Sequence, residues 1–97
     1  MKSKKAIIEA GINTLALESQ AIYGLIKNIN EDFVAAVTLI VESDGRVVVT
    51  GIGKSAIIAQ KIVATFNSTG TPAVFMHAAD AVHGDLGMIQ KNDIIIC

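Results

Sequence analysis

Three places in this chain carry residue types and spacings that suit chemistry: Gly51-Ile52-Gly53-Lys54-Ser55, His77, and His83 with the glycines that follow it. The first follows the apolar run Val47-Val48-Val49 and leads into a helical pattern beginning at Ser55. A strand that turns through glycines into a helix makes an anion site. Its backbone N–H groups can approach a ligand closely, and the helix N-terminus adds partial positive charge. Lys54 brings a full charge to the same spot. The same five residues also fit a plain strand-to-helix turn with a solvated lysine. His83 falls in a loop with Gly84 and Gly87 after a second strand, on the sheet edge where ligands gather in such folds. His77 closes that strand, and its imidazole can take a divalent ion, most readily zinc. One histidine is not a metal site, and the single cysteine, Cys97, adds no cluster.

Flanking residues discriminate between phosphate loops. An ATP-hydrolysing loop needs a glycine five positions before Gly-Lys-Ser, and Val48 stands there, inside the strand. A dinucleotide loop fits Gly51-x-Gly53-x-x-Ala56, but it needs an acid at the end of the second strand. That strand ends in Val74-Phe75-Met76-His77, and the first acid is Asp80. A sugar-phosphate site is the third reading.

The elements that must position these residues follow from periodicity. Ile8, Ile12, Leu15, Ile22, Leu25, Ile26 and Ile29 recur mostly at three- and four-residue steps, which predicts an amphipathic helix over 5–29 that continues through Gly11 and Gly24. Asn30 is a good cap for a second helix, with Glu31 and Asp32 in its first turn, running to about Glu42. Ser43-Asp44-Gly45 forms a turn, and residues 46–50 read as a buried parallel strand. Ile57, Ile58, Ile62, Val63 and Phe66 give a third helix ending near Asn67, with Gly70 as its terminator. Strands follow at 73–77 and 93–97, separated by a short helical turn at 80–83. Strands alternating with helices predict an α/β fold, a doubly wound parallel sheet with helices on both faces and right-handed crossovers. The chain stops inside the third strand without a covering helix, which predicts a fragment of a larger sheet.

Composition narrows the function classes. Net charge is −1 with scattered basic residues, and aromatics make up 4%, which argues against a nucleic-acid surface. Hydrophobic residues reach 52% and mean hydropathy is +0.54, yet no apolar run approaches the ~20 residues of a membrane helix. Glu9 and Glu18 interrupt the stretch after Lys2, Lys4 and Lys5, so a secretory leader is not expected and the cytoplasm is. The apolar surplus predicts burial against a second subunit or the remainder of the fold.

Several segments together resemble the arabinose 5-phosphate isomerases, proteins built on the sugar isomerase (SIS) domain in the pathway to the sugar acid Kdo. They are Gly51 to Ser55, Ala64-Thr65-Phe66 with Ser68-Thr69-Gly70-Thr71-Pro72, and His77 through His83-Gly84-Asp85-Leu86-Gly87-Met88. The resemblance implies an N-terminal helical segment, 1–43, packing on the first part of an SIS domain, 44–97. It implies interconversion of arabinose 5-phosphate and ribulose 5-phosphate through an ene-diolate, which needs a base, a ring-opening group and positive charge near the oxyanion. Lys54 is then the catalytic lysine, while Gly51, Gly53, Ser55, Gly70, Thr71 and His83 contact substrate. His77 is a metal contact, with no cofactor otherwise required. Ala78 and Asp80 stand where the family has proline and glutamate. The family's second phosphate loop and further catalytic groups follow the third strand, so the 97-residue chain alone is expected to be inactive. Activated Kdo is a candidate end-product ligand, and a homo-dimer or homo-tetramer is the expected assembly. A sugar-phosphate or nucleotide-sugar sensing module on the same sheet, or another phosphosugar isomerase, remains the alternative.

Overall fold

A computed structural model describes residues 3–82 and 85–97. Helix α1 spans Lys4–Tyr23, and the Ser3 hydroxyl accepts the Ala6 N–H at 3.2 Å as its cap. The helix expected to reach residue 29 ends earlier. Gly24 donates its N–H to the Gln20 carbonyl as the C-cap, and a single 3₁₀ turn, Ile26–Asn28, follows. Glycine costs most in a helix interior and least at its end, and here the chain terminates on it. Helix α2, Glu31–Glu42, begins where the sequence predicts. The Asn30 side-chain oxygen accepts from the backbone of Asp32 at 3.0 Å and Phe33 at 3.4 Å. By internal contacts the chain divides into residues 1–36 and 37–97.

The second unit holds a parallel three-stranded sheet, in the order β2-β1-β3. Strand β1 spans Val47–Gly51, β2 Ala73–His77 and β3 Ile94–Ile96. With a neighbour on each side, β1 is buried on both faces, as its unalternating β-branched run requires. Val47 and Val49 pack with Ala59 and Ala73 on the face covered by α3, Lys54–Ser68, while Val48, on the opposite face, is fully buried. Asn67 ties the end of α3 to the start of β2. Its side chain accepts the Ala73 N–H at 2.9 Å and donates to the Ala73 carbonyl at 3.0 Å. Between β2 and β3 lie the short helix α4, Ala78–Val82, and a 3₁₀ turn, Asp85–Met88.

The edge of the sheet where β1 and β3 begin is closed by a clamp between residues far apart in sequence. The Arg46 guanidinium donates to both oxygens of Asp93, at 2.9 and 3.3 Å, and to the Met88 carbonyl at 2.8 Å. Asp93 also accepts the backbone N–H groups of Arg46 and Gln90. The Arg46 side chain, followed by the Gln90 N–H, lowers the Asp93 carboxyl from 3.8 to about 2. The Asp93 backbone N–H donates to the Gln90 carbonyl at 3.1 Å and closes a turn, and β3 starts at Ile94 rather than at 93.

Candidate functional site

The glycine loop leaves the C-terminal end of β1 and enters α3. Gly53 is the N-cap, with φ 61° and ψ −131°, a conformation open to glycine and strained for any other residue. No side chain caps the first turn of α3; the Ala56 N–H donates to the Gly53 carbonyl at 3.1 Å, and an uncapped helix start can offer its other leading N–H groups to a ligand. Gly51 is required for a different reason. A Cβ at this position would come within 2.9 Å of the Ser55 carbonyl carbon, so the loop can fold back onto the helix only over a bare backbone.

The strand order places this loop at a reversal. The chain leaves β1 through α3 to β2 on one side, then crosses to β3 on the other side of β1. The crevice between the C-terminal ends of β1 and β3 is thus a topological switch point, the place where open α/β sheets bind ligands. A cleft of about 350 Å³ occupies it, within the size range of small-ligand sites. Lys54 and Ser55 form one wall and Ile96 and Cys97 the other, over an apolar floor that includes Val49, Ile58 and Ile62. Both Lys54 and Ser55 are exposed. An exposed ammonium beside an uncapped helix start can neutralise a phosphate or a developing oxyanion.

His77 stands beside Gly51 in the β1–β2 register, on the same edge as the loop but not on the cleft wall. Its Nδ1 accepts the Ala79 N–H at 3.1 Å, and its ring meets Phe75 edge-on at 6.2 Å. Only Nε2 is left to meet an ion, and binding there as a neutral ligand would move the ring proton to Nδ1 and break the Ala79 bond. Among the described residues no three His, Cys, Asp or Glu side chains are grouped to hold a metal, so a zinc ion on His77 would take its other ligands from outside them. His83 lies outside the described residues.

Gly70 and Thr71 sit elsewhere. They line a separate cleft with Pro72 and Val47, at the edge where β1 begins. Within one chain they are not brought to Lys54, because the roughly 13–16 Å length of β1 separates the two edges. The reason is topological: α3 returns the chain to the N-terminal edge before β2 can run parallel to β1. Conversely, the end of β3 forms a wall of the cleft that residue types did not reveal. Its signal is positional, since only the strand order puts Ile96 and Cys97 opposite Lys54.

A model of the SIS domain family matches residues 39–97. The chain belongs to the SIS domain family. Its match begins within α2 and covers the whole sheet and the cleft. This SIS chain is 50% identical over 92 residues to the arabinose 5-phosphate isomerase GutQ of Escherichia coli K12, an alignment covering 95% of the chain and 29% of that protein. It is 45% identical over 96 residues to the arabinose 5-phosphate isomerase KdsD of Pseudomonas aeruginosa, covering 99% of the chain and 29% of the relative. The solved structure of E. coli CFT073 c3406 in complex with arabinose 5-phosphate superposes with a TM-score of 0.90 at 38% identity, covering 97% of this chain and 50% of that one. The chain thus spans less than a third of the length of these curated relatives and half of the solved one. Among the described residues no helix is long and apolar enough to cross a membrane.

Proposed function

We propose that this SIS chain supplies the phosphosugar cradle of an aldose-ketose isomerase that interconverts D-arabinose 5-phosphate and D-ribulose 5-phosphate on the route to Kdo. The observation that carries the reading is the cleft at the switch point, with Lys54 and the uncapped start of α3 on one wall. Gly51, Gly53 and Ser55 admit the phosphate to the helix N-terminus, and Lys54 faces the oxygen that gains charge as the ene-diolate forms. The names of GutQ and KdsD, and the arabinose 5-phosphate bound by c3406, support the same substrate class.

Proton transfer between adjacent carbons also needs a base. Among the described residues no carboxylate or imidazole lines the cleft. A second reading for the 97 residues taken alone is binding without turnover, with activated Kdo as a further anionic ligand for the same cradle. Calorimetry and NMR with D-arabinose 5-phosphate and D-ribulose 5-phosphate distinguish the readings. The 97-residue chain is expected to bind without converting either sugar, and a polypeptide extended to the length of GutQ is expected to interconvert them. Conversion by the short chain at the long chain's rate contradicts this division of roles. Absence of binding by both contradicts the site.

A further inference from the structure

We draw no further inference here: the strongest candidate, the apolar groove that runs along α3 past Ile58, Ile62 and Phe66 beside the candidate site, is an unpartnered helix face, and nothing in the structure shows what covers it.

Discussion

The two edges of the sheet treat their polar groups in opposite ways. Where β1 and β3 begin, Arg46, Asp93, Gln90 and the Met88 carbonyl satisfy one another, and Ser43 adds a bond to the Asn92 carbonyl at 3.1 Å. Where β1 and β3 end, Gly53 caps α3 without a side-chain bond, Lys54 and Ser55 stand exposed, and a cleft lies between the strands. A polar group already satisfied within the chain has little left to offer a ligand. The clamped edge holds the strands in place, and the open edge presents the charge. Binding at one edge and stability at the other should therefore respond separately to substitution.

Lys54→Ala should show the largest effect. In an active form of the protein it is expected to slow sugar-phosphate interconversion by about 10²–10³-fold, the cost of losing one donor to an oxyanion. Thermal unfolding should register the same change within about 0.5 kcal/mol, as for an exposed side chain. Unchanged turnover would return Lys54 to the role of a solvated lysine and erase the contrast between the edges. Gly53→Ala should affect both properties at once. Forcing alanine into φ 61° costs about 1–3 kcal/mol in stability and turns the first N–H groups of α3 away from the cleft, so calorimetry should also record weaker phosphosugar binding. Loss of stability with undiminished affinity would show that the loop geometry serves folding alone.

The smallest expected effect lies at the clamped edge and is set by pH. Asp93 has a folded-state value of about 2 against the ordinary 3.8, so its contribution to stability is fully present above pH 3.8 and disappears as pH falls through 2. Asp93→Asn should consequently melt below the parent at neutral pH, with the difference shrinking over that acid window. Phosphosugar affinity at neutral pH should be unaltered. A difference in melting temperature that persists below pH 2 would assign the loss to packing rather than to the ion pair.

Much of the fold was legible because its signals are local. Asn30 followed by Glu31 and Asp32 marks a helix start, and Pro72 followed by an apolar run marks β2 with its full extent. The end of α1 was not legible in the same way, since Gly24 reads equally as an interior weakness or a terminator until the contacts around it are known. The Arg46–Asp93 clamp joins residues 47 apart and leaves no trace in the pattern of either segment. The site divides along the same line. Gly51 to Ser55 declare themselves by type and spacing, whereas the opposite wall, at Ile96 and Cys97, depends on strand order. Gly70 and Thr71 fall on the far edge for a reason the sequence did contain. A helix linking two parallel strands must end where the second strand begins, and the motif that contains them carries no sense of that direction.

The central claim, that the open edge is where a phosphosugar binds, is tested most directly by amide NMR of the protein titrated with D-arabinose 5-phosphate. The account predicts that the largest shifts fall on Gly51, Gly53, Lys54 and Ser55, with smaller ones at Ile96 and Cys97, while Gly70 and Thr71 stay unperturbed. Shifts centred on Gly70 and Thr71, with the glycine loop silent, would place the ligand at the other edge and contradict it.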